Sequence, residues 1–249
     1  MSEALLETAG LGIDFGGVKA VADVDFRLAA GELRCLIGPN GAGKSTFFKL
    51  VTGQLAPTHG QVRIRGRSIA GLQSHEIARL GVGIKTQVPN VFNGLTVREN
   101  VWLAARRTQP PRTAAARCEA VLEQLELGAL AHRVVGELAH GQRQWVELGL
   151  VVAGEPELVL LDEPAAGMSD AEVERTARLI ERINQRSAVI VVEHDMAFIR
   201  MIAKTVTVFN RGRVLVEGPV EQVLADERVR DVYLGRPLKV AGAEQEAAA

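Results

Sequence analysis

The sequence predicts an α/β fold with a mostly parallel sheet, an N-terminal antiparallel β subdomain and an inserted α-helical subdomain. Three observations lead to this prediction. From residue 157 onward, apolar segments of strand length alternate with helical segments, which is typical of right-handed βαβ units. Near the N-terminus, residues 22–28 alternate strictly between apolar and charged side chains. At roughly residues 95–155, a run of helical segments interrupts the α/β pattern.

The strands of the N-terminal part are predicted from side-chain period and composition. In the segment 22–28, four apolar side chains share one face and three charged side chains lie on the other. A period of two predicts a half-buried, antiparallel strand. The other elements predicted in this part are the strand Leu33–Ile37, the helix Lys44–Val51, a strand around 61–64 and the strand Val82–Lys85.

The helical insertion is predicted from capping and breaking signals. Thr96 and Glu99 form a capping box before a helix over 97–105, because each side chain can satisfy the other residue's free backbone donor. Pro110 and Pro111 end that helix. The elements predicted after it are helices over 113–126 and 141–152, strand 158–161, helix Asp170–Asn184, strand Ala188–Val192 and helix 195–202.

Composition excludes several classes of protein. The 249 residues include 29 Lys and Arg against 30 Asp and Glu, so the net charge of -1 argues against a broad electrostatic nucleic-acid binder. Two cysteines, Cys35 and Cys118, have no metal-binding or redox spacing. No apolar stretch approaches the roughly 20 residues that cross a bilayer, and the acidic N-terminus does not resemble a signal peptide. We therefore expect a soluble protein that reaches a membrane only through a partner.

A glycine-rich segment lies between the predicted strand Leu33–Ile37 and the predicted helix Lys44–Val51. It fits the pattern G-x-x-x-x-G-K-[ST] in full, with Gly38, Pro39, Asn40, Gly41, Ala42, Gly43, Lys44, Ser45 and Thr46. The glycines let consecutive backbone N–H groups point at phosphate oxygens, and the helix N-terminus adds a favourable dipole. Lys44 is expected to reach the β- and γ-phosphates, and the Ser45 hydroxyl to ligate Mg²⁺. The segment predicts a P-loop NTPase core.

Three further polar residues follow predicted core strands. Asp162 and Glu163 follow the strand 158–161, where α/β sheets place ligand chemistry, so Asp162 is expected to hold Mg²⁺ and Glu163 to polarise an attacking water. His194 follows the strand Ala188–Val192 at the same edge. A lone histidine is often structural, but this position favours contact with the γ-phosphate and the water.

With this P-loop, the carboxylate pair and the strand-end His194, the sequence resembles the ATP-binding subunits of ABC transporters. The resemblance covers about residues 5–235 in the family's motif order, leaving a C-terminal tail at 236–249. It implies ATP hydrolysis with ATP and Mg²⁺. It also implies that Gln87 contacts Mg²⁺ and links the site to the membrane partner. Phe15 matches the aromatic residue that stacks on adenine, with core packing as the alternative.

The family signature, Leu-Ser-Gly-Gly-Gln, corresponds here to Leu138, Ala139, His140, Gly141 and Gln142. Ala139 lacks the hydroxyl that donates to the γ-phosphate, and His140 replaces a glycine. The resemblance implies that residues 139–142 contact the nucleotide of a second subunit, so that two chains sandwich two ATP molecules. We hypothesise that His140 supplies part of the missing donor capacity. The segment 165–169 matches the family's D-loop, with Ser169 where Asp is more common, and Ser169 also begins a capping box with Glu172.

Within the family, several strings resemble importers of branched-chain amino acids, amides and urea. They lie at 15–21, 164–168, 214–218 and 232–235, and the strings 85–92 and 140–145 lean toward the urea type. The partners implied are membrane permease subunits, a second ATP-binding subunit of the same or a different chain and, indirectly, an extracytoplasmic solute-binding protein. The implied location is peripheral, on the cytoplasmic face of the inner membrane. The stretch 88–92 is either a permease contact or a buried connecting loop.

Three other functions are alternatives to transport. A soluble ABC ATPase acting on DNA or ribosomes usually has a long coiled-coil insertion or two tandem cassettes, and this chain has neither. A GTPase would carry an Asn-Lys-x-Asp guanine reader, which the sequence lacks. A regulatory nucleotide-binding module remains open because of Ala139.

Overall fold

The computed structural model describes residues 4–86 and 90–234. Its strands are β1 (Ala4–Phe15), β2 (Val18–Ala29), β3 (Leu33–Ile37), β4 (His59–Ile64), β5 (Arg67–Ser68), β6 (Val82–Lys85), β7 (Leu158–Asp162), β8 (Ala188–Val192), β9 (Thr205–Asn210) and β10 (Arg213–Pro219). Its helices are α1 (Lys44–Val51), α2 (Ser74–Arg79), α3 (Val97–Arg106), α4 (Pro111–Gln124), α5 (His140–Ala153), α6 (Asp170–Asn184), α7 (Met196–Ile202), α8 (Val220–Ala225) and α9 (Glu227–Tyr233). The tail predicted at 236–249 lies outside the described residues, as does Gln87.

The N-terminal sheet is antiparallel, as predicted, and has the strand order β2-β1-β4-β5. In β2, the apolar residues of the segment 22–28 are buried and the charged ones are exposed. Strand β1 was not predicted. It contains glycines and several register shifts against β2, and such irregularities remove the strict alternation that identifies a strand.

The second sheet has six strands in the order β10-β9-β3-β8-β7-β6. All of its neighbours pair in parallel except β9 and β10, which form an antiparallel hairpin at one edge. The carboxyl ends of β3, β8, β7 and β6 therefore lie side by side along one edge of the sheet. This confirms the predicted α/β class and places every strand-end residue singled out above at the same edge.

Each face of the six-stranded sheet carries its own hydrophobic core. Alternate residues along β3 and β7 belong to different cores: Cys35 and Leu161 pack with the inserted helices, and Leu36 and Leu160 pack with the N-terminal sheet. Strands buried on both faces are continuously apolar, which explains their short apolar runs in the sequence. The parallel sheet is thus the middle layer of the fold.

The helices α3, α4 and α5 lie between β6 and β7, where the insertion was predicted. The Thr96 hydroxyl accepts from the Glu99 N–H, and the Glu99 carboxylate accepts from the Thr96 N–H, so the capping box of α3 is confirmed. The predicted start of the next helix was two residues late. Pro111 is the first residue of α4, because a proline there needs no backbone N–H partner. Among the described residues, no helix has the length and apolar character needed to cross a membrane.

Candidate nucleotide-binding site

The segment 38–46 forms a tight loop from the end of β3 to the start of α1. Gly38 has φ +145° and Gly43 has φ +104°, both in the region that favours glycine. A Cβ atom added at Gly38 would lie 2.2 Å from the Phe209 carbonyl oxygen, and one added at Gly43 would lie 2.6 Å from the Ala20 carbonyl oxygen. The backbone of other elements therefore leaves no room for a side chain at these two positions, and only glycine fits there.

The N-terminus of α1 is left open toward the loop. Its N-cap is Gly43, which has no side-chain cap, and no acidic residue lies in the first turn. The first N–H groups of a helix lack intrahelical partners, and the helix dipole makes this end positive. The main-chain N–H groups at this helix end can therefore bind an anion.

Lys44 lies against the same loop. Its Nζ donates to the carbonyl oxygens of Gly38 at 2.6 Å and of Pro39 at 3.1 Å. Burial lowers the pKa of Lys44, while the nearby carboxylates of Glu163 and Asp162 raise it. An ammonium has three donors, so two loop carbonyls leave one free for an anion.

Asp162 and Glu163 occupy the end of β7. Asp162 is 8% exposed, and its Oδ1 is a buried atom without a hydrogen-bond partner within the described residues. Burial and the Glu163 charge raise the pKa of Asp162, with Lys85 and Lys44 acting in the opposite direction. An unpartnered carboxylate oxygen beside a phosphate-binding loop fits a hard cation such as Mg²⁺, or a water bound to it.

Glu163 and His194 are in contact. The Nδ1 of His194 lies 3.4 Å from Oε1 of Glu163, and both side chains are accessible to solvent. Glu163 has φ +46°, a backbone conformation rare for a non-glycine residue, and its N–H donates to the Val192 carbonyl oxygen. Because β8 lies between β3 and β7, His194 lies between the P-loop and the carboxylates.

Phe15 ends β1 and is 49% exposed, which excludes core packing as its role. The hairpin that carries it is held beside the P-loop. Ala22 donates its N–H to the Gly212 carbonyl oxygen, and Gly212 donates its own N–H to the Ala42 carbonyl oxygen. An exposed ring on a hairpin fixed to the P-loop is accessible to a base.

Comparison with known proteins identifies the family. The family model described as ABC transporter matches residues 21–166, which is more than half of the chain. The chain belongs to the ABC transporter ATP-binding family. It is an ATPase of that family, whose members bind ATP or ADP, dimerise and work with membrane permease components.

Three relatives show how this ABC ATPase compares with known members. The high-affinity branched-chain amino acid transport ATP-binding protein BraF of Pseudomonas aeruginosa is 34% identical, and the alignment covers 94% of this chain and 99% of BraF. The lipopolysaccharide export system ATP-binding protein LptB of Acidithiobacillus ferridurans is 35% identical, with 96% and 100% covered. A solved ATP-binding cassette of an ABC transporter, in its ADP conformation, has a TM-score of 0.83 at 26% identity, with 94% and 99% covered.

A second family model, described as branched-chain amino acid ATP-binding cassette transporter, matches residues 213–238 of this ABC ATPase. This match begins in β10 and covers the two helices that follow it. It lies beyond the part of the chain that the first model matches, so the two are independent similarities.

The signature segment of this ABC ATPase contacts its own D-loop. His140 Nε2 lies 3.1 Å from the Ala166 carbonyl oxygen, and a Cβ at Gly141 would lie 2.2 Å from a carboxylate oxygen of Glu172. Ala139 is the N-cap of α5 and has no side-chain acceptor, although its N–H donates to Gln142 Oε1 at 3.2 Å. Among the described residues, no hydrogen bond or ion pair joins this segment to the P-loop.

The predicted capping box at the D-loop is confirmed. The Ser169 N–H and hydroxyl both donate to the Glu172 carboxylate, and these bonds lower the pKa of Glu172. Ser169 is therefore at least a helix cap for α6.

Sequence reasoning missed Glu193, which supports the sheet edge that carries Glu163 and His194. Its carboxylate is 2% exposed and accepts from the N–H groups of His194 and Ala165. Burial raises the pKa of Glu193, and these backbone donors act in the opposite direction. The signal was available, because a carboxylate directly after a fully buried strand must find partners.

Sequence reasoning also missed Lys85 and Glu147. Lys85 ends a short apolar strand, and Glu147 lies on a helix turn whose neighbours are buried. Their side chains are 2% and 6% exposed, and Lys85 Nζ lies 3.7 Å from Glu147 Oε2. The signal was a charge at each of two positions where the pattern predicts an apolar residue, but pairing them required the fold.

Proposed function

We propose that this chain is the ATP-hydrolysing subunit of a membrane importer for branched-chain amino acids, amides or urea. The observation that carries the hydrolytic part is the contact of Glu163 with His194 at the sheet edge shared with Asp162 and the P-loop. The importer part is supported by the similarity to BraF and by the match at residues 213–238.

In this proposal, the free donor of Lys44 and the backbone N–H groups of the loop 38–46, except at Pro39, bind the β- and γ-phosphates. Ser45, Asp162 and Gln87 hold Mg²⁺, which neutralises phosphate charge when bound. Phe15 stacks on the adenine. These residues position the reacting groups, and positioning with charge neutralisation supplies most of the acceleration in phosphoryl transfer.

Glu163 polarises the attacking water, and His194 orients it. The Glu163 side chain is 32% exposed and His194 is 62% exposed, so water can reach both. Glu193 fixes the backbone next to both residues, because its carboxylate accepts from the N–H groups of Ala165 and His194. A second chain supplies residues 139–142 across the dimer.

The hydrolytic role is tested with Glu163→Gln, which keeps the shape of the side chain and removes its charge. In the complex with the permease, the wild type should hydrolyse ATP and the variant should bind ATP with turnover reduced at least a hundredfold, within the range lost with a catalytic group. No turnover by the wild type, even with the permease present, would favour the regulatory nucleotide-binding module that Ala139 left open.

The permease contact is proposed at Phe92, which is 61% exposed. Asn100, itself 1% exposed, accepts from the Phe92 N–H and donates to the Phe92 carbonyl oxygen, so the loop is fixed with the ring outward. This supports a docking contact over the alternative of a buried loop. Phe92→Asp should keep ATP hydrolysis and lose transport, whereas intact coupling would contradict the contact.

The substrate class is tested in proteoliposomes containing the complete transporter. ATPase stimulation should require a solute-binding protein loaded with leucine, an amide or urea, and the sequence leans toward urea. The similarity to LptB gives the test its opposite outcome. Stimulation by lipopolysaccharide, with no response to any of the three solutes, would make the chain an exporter subunit. The subunit is proposed to lie peripherally on the cytoplasmic face of the inner membrane.

A further inference from the structure

The buried ion pair between Lys85 and Glu147 joins two parts of the molecule that carry different functions. Lys85 is the last residue of β6 and pairs in register with Leu161, the residue before Asp162. Glu147 lies in the middle of α5, whose N-terminus carries the signature segment. The pair therefore links the cation-binding edge of the sheet to the helix that serves the partner's nucleotide.

The surroundings of the pair are unusually polar for a protein interior. Three buried acceptor atoms have no hydrogen-bond partner within the described residues: Oε1 of Gln144, Oε1 of Glu147 and Oδ1 of Asp162. All three residues are at most 8% exposed. The charge of Lys85 is felt by Asp162 and Glu193 as well as by Glu147, and Arg143 and His140 also act on Glu147. Lys85 thus faces several carboxylates.

Stability does not explain such a pair. Replacing a buried ion pair with apolar side chains of similar volume is often neutral or stabilising, because desolvation offsets the attraction between the charges. What the pair does supply is a fixed geometry between β6 and α5. The Lys85 charge also responds to a cation bound at Asp162. Such a cation repels Lys85, and Glu147 is then the nearest carboxylate that attracts Lys85.

We propose that Lys85 and Glu147 are positioning residues that transmit occupancy of the Asp162 site to helix α5. The proposal rests on the function proposed above for Asp162. The pair contacts neither nucleotide nor water in this scheme. It sets the position of α5, and hence of residues 139–142, according to whether the chain's own site is filled.

The test is hydrogen exchange of the full chain with and without ADP and Mg²⁺, followed in peptides that cover residues 144–153. In the wild type, exchange in these peptides should slow at least threefold when ADP and Mg²⁺ bind. In Lys85→Met/Glu147→Leu, the affinity for ADP should stay within twofold of the wild type and the slowing should disappear. In the complex with the permease, this variant should also lose at least fivefold in kcat for ATP with KM changed less than twofold.

The matched control is Arg34→Met. Arg34 is likewise a buried cation, 5% exposed, but its carboxylate partners are Glu32 and Glu217, which lie outside α5. This variant should lower Tm and retain the full slowing in residues 144–153. If the double variant does not fold, Glu147→Asp decides, because it keeps the charge and shortens the reach by one methylene. It should show at most half of the wild-type slowing.

Two results would overturn the proposal. One is a folded variant of the pair that binds ADP and shows the full wild-type slowing. The other is a wild type that binds ADP and Mg²⁺ with no change in residues 144–153. Neither readout needs hydrolysis or a permease, so inactive wild-type protein would contradict the proposed function without affecting this result.

Discussion

The P-loop and the signature segment of this ABC ATPase are built in different ways. The P-loop is made of main-chain groups, and its shape is fixed by glycines that neighbouring backbone presses from outside. The signature segment and its helix are held by side-chain contacts with other elements. His140 reaches the D-loop, and Trp145 Nε1 donates to the Thr176 hydroxyl on α6. The P-loop depends on main-chain conformation, and the signature segment depends on side-chain contacts.

This difference predicts different tolerance to substitution. A main-chain site fails when the backbone cannot adopt its shape, whatever the new side chain offers. A site held by side chains can lose or exchange one contact and keep the others, as the presence of Ala139 in place of serine already suggests. Substitutions should therefore have larger effects in the P-loop than in the signature region.

The largest effect is expected for Gly38→Ala. The new Cβ would lie 2.2 Å from the Phe209 carbonyl oxygen, at φ +145°. Strain of this kind costs about 1–3 kcal/mol before the clash is counted, so we expect at least about 3 kcal/mol of destabilisation and loss of ATP binding. Gly41→Ala is the matched control, because φ there is +77° with no atom within 4 Å of the added Cβ. It should cost about 1 kcal/mol. Equal losses in chemical denaturation would contradict the comparison.

The next effect is expected for Lys44→Met. The variant keeps an unbranched side chain one atom shorter and removes the ammonium that is proposed to bind the phosphates, so ATP affinity should fall about a hundredfold, or about 3 kcal/mol. The folded protein should lose less than about 1 kcal/mol, since burial already disfavours the charged ammonium, as its lowered pKa indicates. Lys49→Met, in the last turn of the same helix, is the control and should change affinity less than threefold. Titration with a fluorescent ATP analogue measures both, and comparable losses would contradict the role of Lys44.

The contrast also explains what could be predicted from the sequence. The P-loop, the strands β3 and β8 and the helices α1 and α6 were predicted with their observed bounds, because glycine spacing, apolar runs and caps are local signals. Strand β1 has an irregular pattern and is defined by pairing with β2 and β4. The hairpin β9–β10 was not predicted, although the β-branched run at 205–208 and the turn at Gly212 are local signals for it. At the site, Asp162, Glu163 and His194 were found because parallel strands end at one edge.

What the sequence could not show were contacts between elements that lie far apart along the chain. Three contacts join such elements: His140 with Ala166, Glu193 with Ala165, and Lys85 with Glu147. Each polar residue was visible in the sequence, but its partner was not. The hypothesis that His140 donates to a partner's phosphate stays a prediction, and the sequence did not show the contact of its Nε2 with a backbone carbonyl of the D-loop.

A moderate effect is expected for Trp145→Phe in the signature helix. The variant loses the 2.9 Å hydrogen bond to Thr176 and weakens the stacking of Arg175, whose guanidinium lies 3.9 Å from the ring centroid. We expect about 1–2 kcal/mol of destabilisation with ATP affinity unchanged, because the P-loop is untouched. Trp102→Phe is the control, since its Arg106 partner is 5.9 Å away, and it should cost under about 1 kcal/mol. A loss of ATP affinity in Trp145→Phe would show that the two regions are not independent.

The smallest effect is expected for Ala139→Ser. The N–H of Ala139 already donates to Gln142 Oε1, which is half of a capping box, and a serine hydroxyl would accept from the Gln142 N–H to complete it. The stability gained should be about 1 kcal/mol, or roughly 2–4 °C in Tm. Ala139→Val at the same exposed position is the control, because it adds no acceptor and should bring no gain. If the hydroxyl that Ala139→Ser adds also donates to the partner's γ-phosphate, ATP turnover by the permease complex should rise. His140→Ala should lower turnover, because it removes the contact with the D-loop carbonyl. Unchanged turnover in both variants would mean that residues 139 and 140 only hold the helix in place, which would make the difference between the two regions larger still.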